Sequence, residues 1–174
     1  MIIETKRCRL REYTWDDYNA LYEILSDEET MQHYPKPYDE AGVKRWIKWS
    51  LDNYQKYGFG LWVIELKETG TFIGDCGLTM QMIDGESLPE IGYHIHKDYW
   101  RQGYAHEAAL AVRDWTFTNR NFDCLFSYMN YTNVGSYKTA ASIGMKRIKE
   151  YTDATHDLVY VYKITRSEWL EMAE

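Results

Sequence analysis

Between Glu90 and Thr116 the chain changes period in mid-course, and that change limits what it can fold into. Residues 88–95 read as a strand, while Ala105, Ala108, Ala109, Val112, Trp115 and Thr116 recur at helical spacing. The segment Trp100-Arg101-Gln102-Gly103-Tyr104-Ala105 joins them, so a strand must feed a tight turn that opens a helix. Gly103 has no Cβ and Ala105 a minimal one, which lets the backbone approach a bulky ligand closely. The first N–H groups of a helix lack intrahelical partners, and the dipole adds about half a positive charge there. Such a turn is an anion cradle suited to a pyrophosphate. By itself the pattern is equally consistent with a glycine that only turns the chain. It is not a P-loop, because no Gly-Lys-Ser/Thr follows, and it lacks the first of the three dinucleotide-fingerprint glycines.

The turn is set in an alternation of elements. Arg9-Leu10-Arg11-Glu12-Tyr13 reads as a short strand, and Thr14 is placed to cap a helix carrying Asp16 and Asp17 in its first turn. Tyr18, Leu21, Tyr22 and Leu25 continue it at helical spacing. Pro35 and Pro37 break the chain, and a second helix is expected over residues 39–57, with Val43, Trp46, Ile47 and Leu51 on one face and Gly58 and Gly60 at its end. Residues 61–66 and 72–80 read as strands joined by Lys67-Glu68-Thr69-Gly70, and Asp84-Gly85-Glu86-Ser87 leads into the strand at 88–95, a run of antiparallel strands. After the turn come a helix to about Asn119, a strand at 125–129, a helix capped by Asn133 and closed by Gly144, and strands at 146–151 and 158–164. Without repeats or linkers, residues 1–174 read as one domain of the α/β (α+β) class: a mixed, largely antiparallel sheet flanked by helices.

Composition removes several functions. The formal net charge of −7 offers no cationic stripe for nucleic acid, so no nucleic-acid partner is expected. No apolar run approaches the roughly twenty residues that cross a bilayer, and the charged start leaves no room for a signal peptide, so no membrane partner is expected. Cys8, Cys76 and Cys124 are odd in number and widely spaced, which suits a reducing cytoplasm and provides no disulfide framework. His94, His96 and His106 invite a metal reading, but no further ligand falls at a persuasive interval, so no metal is expected.

The stretch from Glu90 to Ala105 resembles motif A of the GNAT superfamily of N-acetyltransferases, Gln/Arg-x-x-Gly-x-Gly/Ala, with Trp100 in the first position. That substitution and the preceding Glu90-Ile91-Gly92-Tyr93 are similar to the RimJ/RimL branch. Asn133-Val134-Gly135-Ser136 followed by Gly144-Met145 resembles the branch's Asn-x-x-Ser…Gly-Phe segment, and the order of elements matches from about Leu10 to Ile164. The resemblance implies a GNAT fold with one splayed strand pair, and acetyl-CoA as acyl donor. It implies that backbone amides of Arg101, Gln102, Gly103, Tyr104, Ala105 and His106 hold the pyrophosphate, that the Arg101 side chain adds charge, that the strand ending at Ile95 exposes backbone groups to the pantetheine and thioester, with an N–H near Ile95 or His96 for the thioester oxygen, and that Asn133 meets the pantetheine. The acceptor it implies is an amine: a protein N-terminal α-amine, as in the RimJ/RimL branch, or a small amine such as a polyamine or antibiotic. The protein is expected as a monomer or homodimer.

Transfer to an amine needs a base, because an alkylammonium has a pKa of about 10.4, and it needs a stabilised thioester oxygen and a proton for the departing thiolate. Glu90 matches a glutamate that some GNAT enzymes use as base, and Glu150 falls near a base proposed in RimL-type enzymes. The tyrosine that many members use as acid is replaced here by Ala140, which leaves Ser136 and Tyr137 as candidates and keeps open a non-catalytic acyl-CoA-binding module. His156-Asp157 resembles a structural or substrate-positioning pair of the branch. Tyr34 and Tyr38, in the segment at 31–38, and His94 are the expected acceptor contacts.

Overall fold

The computed structural model describes residues 2–155 and 157–172. The chain opens with a hairpin, β1 (Ile2–Glu4) and β2 (Cys8–Arg11), rather than with the single strand expected at 9–13. Thr14 then starts a 3-10 turn at Trp15–Asp17 before α1 (Tyr18–Leu25) begins. The tighter turn follows from Asp17, whose carboxylate accepts from Thr14 N at 2.8 Å and from both terminal nitrogens of Arg11 at 2.9 Å. Asp39 caps α2 (Glu40–Tyr57) by accepting from Gly42 N at 2.7 Å, and Gly58 ends it in the left-handed region at φ 72°.

The strands β3 (Leu61–Leu66), β4 (Phe72–Ile83) and β5 (Glu86–Ile95) form the expected antiparallel run. Then come α3 (Tyr104–Asn119), β6 (Cys124–Asn130), α4 (Val134–Ser142), β7 (Lys146–Thr152), β8 (Leu158–Thr165) and α5 (Arg166–Glu171). The last helix, unread in the sequence, is started by Thr165 and Glu168, each side chain bonding the other residue's backbone N–H. Arg166 ties it back to the carbonyls of Phe117, Arg120 and Phe122.

Among the described residues eight strands lie in one sheet, in the order β1-β2-β3-β4-β5-β6-β8-β7. Every neighbouring pair is antiparallel except β5 and β6, which run parallel and meet at the single pair Glu90↔Phe126. Beyond that rung the two strands part. Helices cover both faces. Ile91 and Ile95 of β5 pack with Ala108, Ala109 and Val112 of α3, while α1 and α2 bury Leu21, Leu25, Val43 and Ile47 against Leu61 and Val63 of β3 on the other side. Strand alternation therefore turns Glu90, Gly92 and His94 away from α3, toward the α2 side.

Candidate active site

The turn before α3 has the shape its residues imply. Arg101 and Gly103 sit at φ 59° and 83°, and the first helical bond runs from Glu107 N to Gly103 O at 3.0 Å. The amides of Tyr104, Ala105 and His106 therefore precede the helical ladder and face outward at the positive end of the dipole. A residue that no local pattern could mark braces this turn from the β1–β2 loop. Arg7 donates to Gln102 O at 2.9 Å and to Glu107 Oε2 at 2.7 Å, and its guanidinium lies 4.1 Å above the Tyr104 ring. Burial raises the pKa of Glu107, but hydrogen bonds from Thr5 and Arg7 outweigh it and hold the carboxyl below its usual range. His106 Nδ1 meets Ser142 Oγ at 2.7 Å, joining α3 to α4.

In front of the turn lies a groove of about 750 Å³, lined by Ile95, Arg101, Gly103, Tyr104, Ala105 and His106 on one side and by Asn133 and Ser136 on the other. Gln102 is not among the lining residues; its side chain turns back to Asp98 O at 3.1 Å. His96 is also placed elsewhere, a correction to the expectation for its amide. His96 N donates to Ile73 O at 2.8 Å, and its ring accepts from Asp98 N at 3.2 Å, capping the turn at Lys97–Tyr99. Because successive residues aim their amides at opposite edges of a strand, Ile95 and Tyr93 point theirs toward the parted edge of β5. Trp100 fixes that edge by donating from Nε1 to Ile95 O at 2.8 Å. Asn133 caps α4, its Oδ1 accepting from Ser136 N at 3.2 Å.

A second cavity, of about 510 Å³, opens on the α2 side. It includes Glu90, His94 and Gln81 from the sheet, Tyr34 and Tyr38 from the segment before α2, Trp46 and Trp49 of α2, and Asp157. Both cavities touch His33, Tyr34, Tyr93, His94, Asn133 and Ser136, so they meet at the opening between β5 and β6. His156, the other half of the pair at 156–157, lies outside the described residues.

The chemistry of the meeting point is set by cross-strand register. Glu90 lies opposite Thr79, whose hydroxyl donates to Glu90 Oε2 at 3.3 Å. With 8% of its surface exposed, Glu90 has its pKa pushed up to about 7, chiefly by burial, with His94 and Thr79 opposing and Asp75 reinforcing the rise. His94 lies opposite Asp75, and His94 Nδ1 meets Asp75 Oδ1 at 2.7 Å. Burial lowers the His94 pKa, but the neighbouring Asp75 carboxylate outweighs it and the net shift is upward.

On the α3 and α4 side, Tyr93 donates from its hydroxyl to Ser136 O at 2.7 Å, and Ser136 Oγ lies 3.5 Å from the same hydroxyl. Sequence reasoning passed over Tyr93 because it sits inside a strand pattern, where an aromatic residue reads as core. Tyr137 follows Ser136 by about 100° on the helix, so only one of the two faces the opening. Its ring stacks at 6.4 Å on Tyr162 and lies 5.9 Å from Tyr160, and it lines neither cavity. Glu150 is exposed on the edge strand β7 and lines neither cavity.

Burial raises the thiol pKa of both Cys76 and Cys124, which opposes their use as nucleophiles. Among the described residues, no group of three or more His, Cys, Asp or Glu side chains is gathered as for a metal ion, and no helix is long and apolar enough to cross a membrane.

Comparison with known proteins agrees with this geometry. Residues 7–146 match the model of the acetyltransferase (GNAT) domain. The chain is 36% identical to the uncharacterized protein YkkB of Bacillus subtilis, over 81% of this chain and 83% of that one. It is 30% identical to the uncharacterized N-acetyltransferase YnaD of the same organism, over 97% and 99%. Among solved structures, an acetyltransferase from Agrobacterium tumefaciens superposes with a TM-score of 0.79 at 30% identity, covering 93% of this chain and 94% of that one. With a family model spanning most of its length and a relative 30% identical along nearly the whole chain, the chain belongs to the GNAT family of N-acetyltransferases.

Proposed function

We propose that the protein moves an acetyl group from acetyl-CoA, by direct attack and without a covalent enzyme intermediate, to the primary amine of a small molecule. The observation that carries this reading is the meeting of the two cavities at the parted strands, with a buried carboxyl on one side and an amide cradle on the other. The cradle fits a diphosphate. It offers unpaired amides at a helix start, a backbone in the left-handed region, and Arg101 among its lining residues. When bound, acetyl-CoA supplies an activated carbonyl carbon and a thiolate leaving group.

The residues of this chain do the rest. Glu90, with its pKa at about 7, is ionised in an appreciable fraction at neutral pH and accepts a proton from the arriving ammonium, directly or through water. The amides of Ile95 and Tyr93 lie along the edge where the thioester oxygen gains charge. The Tyr93 hydroxyl and Ser136, on the α4 side, stand where the departing sulfur takes up a proton.

The acceptor side favours a compact cation. A cavity of about 510 Å³ is of the size that encloses a small ligand. Among the described residues its walls carry the aromatic rings of Tyr34, Tyr38, Trp46, Trp49 and Tyr128 together with Glu90, Asp153 and Asp157, against Arg45 and the imidazoles of His33 and His94. Release of thiol from acetyl-CoA, followed across a panel of small amines and of peptides with free N-termini, tests this directly. Turnover with small amines and none with peptides is the expected result. Turnover on peptides alone would move the acceptor to the protein N-terminus implied by the RimJ/RimL likeness. Binding without turnover on any acceptor would leave an acyl-CoA-binding module.

A further inference from the structure

Converting an ammonium into an amide removes two protons from nitrogen: one before attack, to free the lone pair, and one as the N–C bond forms and nitrogen becomes positive again. Glu90 accounts for the first. The acceptor cavity holds a second hydrogen-bonded set that the reaction as described leaves unused. Asp75 is 1% exposed and accepts three hydrogen bonds: from Tyr13 OH at 2.7 Å and Trp46 Nε1 at 3.1 Å on Oδ2, and from His94 Nδ1 at 2.7 Å on Oδ1. A carboxylate at Nδ1 fixes the tautomer. Neutral His94 carries its hydrogen there, and Nε2 is left as an acceptor. Tyr34 OH lies 2.9 Å from that Nε2 and donates to it. Its oxygen lone pairs remain for a donor in the cavity, and both Tyr34 and His94 line the meeting point of the two cavities. The arrangement is held firmly: Asp75 and His94 are register partners on β4 and β5, and the Trp46 ring stands edge-on to His94 at 5.0 Å.

We propose that Tyr34 and His94 form a proton relay for the second deprotonation, with Asp75 as its positioning residue. The inference rests on the acetyl-transfer reading above. As the amine lone pair forms the N–C bond and the C–S bond breaks with its electron pair on sulfur, the nitrogen's proton passes to Tyr34 oxygen. The Tyr34 proton passes to His94 Nε2, giving an imidazolium beside Asp75. Sulfur takes its proton from the Tyr93 or Ser136 hydroxyl on the α4 side, which is replaced from solvent, and Glu90 and His94 return theirs to solvent, so of the two protons that leave nitrogen one is balanced by the new thiol and one is released. The titratable groups facing His94 are Asp75 from β4, Glu90 from β5 and Tyr34 from the segment before α2.

Two measurements test the relay. In the nitrogen NMR spectrum of the free protein labelled in histidine, recorded at a pH alkaline enough that the raised pKa of His94 leaves the ring neutral, His94 is expected as the Nδ1–H tautomer in the wild type and in Tyr34→Phe, and to lose that bias in Asp75→Asn. With saturating acetyl-CoA, His94→Gln is expected to lower kcat about a hundredfold and Tyr34→Phe about tenfold or more, within the usual range for a lost base. The KM for acetyl-CoA stays unchanged in both, which also shows that the variants are folded. An Nε2–H tautomer in the wild type, or a His94→Gln enzyme within about threefold of wild-type kcat, overturns the relay while leaving acetyl transfer intact. A wild-type protein that transfers acetyl to no amine overturns both.

Discussion

Replacing Glu90 with glutamine should make the protein more stable and less active at once, and pH decides by how much. In the folded chain the Glu90 carboxyl titrates at about 7 rather than 4.5, with burial as the leading cause. A folded state that holds a proton more tightly than the unfolded chain gains stability from it at low pH, loses that gain between 4.5 and 7, and above 7 carries the full penalty of a buried charge. At ~1.4 kcal/mol per pH unit, the displacement from 4.5 to about 7 amounts to about 3 kcal/mol of destabilisation at pH 8. Glutamine fills nearly the same space, keeps an oxygen to accept from Thr79, and carries no charge. Glu90→Gln is therefore expected to be stabilised at pH 8 by up to about 3 kcal/mol, several degrees in Tm for a chain of this size. The advantage should shrink toward pH 5, where the wild-type carboxyl is protonated in the fold. Acetyl transfer should fall by ~100-fold or more. Urea unfolding at pH 5 and pH 8, paired with thiol release at pH 8, gives both quantities. A glutamine variant less stable than wild type at pH 8, or a stability difference that ignores pH, would show that the carboxyl is a structural partner and refute the reasoning.

Three further outcomes are expected. Gly103→Glu adds a side chain at φ 83° and a negative charge where the diphosphate is proposed to sit, so titration calorimetry should detect no coenzyme A binding. Arg7→Ala removes the bonds to Gln102 O and Glu107 and the contact over Tyr104, and should weaken coenzyme A binding about tenfold with kcat little changed, a split that steady-state kinetics resolves. Tyr93→Phe should lower kcat by ~10-fold or more with the acetyl-CoA KM preserved; unchanged kcat would assign the leaving-group proton to Ser136 or to water.

The elements of the α3 half of the site were legible because local rules govern them. Gly103, Ala105 and the helical run behind them announce a strand-to-helix turn whatever the rest of the chain does, and Asn133 reads as a helix cap because its chemistry acts three residues away. What escaped depends on register and distance. Asp75 carries no signal of its own; it matters because β4 and β5 pair it with His94 across a hairpin. Arg7 reaches the turn across about a hundred residues, and no periodicity reports that. His96 misled because its neighbour Ile95 does face the parted edge, and a strand sends alternate amides to opposite sides. Tyr137, one residue past Ser136 on the helix, is stacked on Tyr162.

The lone rung between β5 and β6 has a consequence for how this protein is measured. Five strands on one side and three on the other are tied through their backbones at one point, and elsewhere along that seam only side chains and helices bridge them. A long, flexible molecule bound in the seam with amide groups along its length, as proposed for the coenzyme, would complete the ladder that the strands leave unfinished. Melting curves and hydrogen exchange along both borders then become a direct readout of occupancy, with no catalysis required.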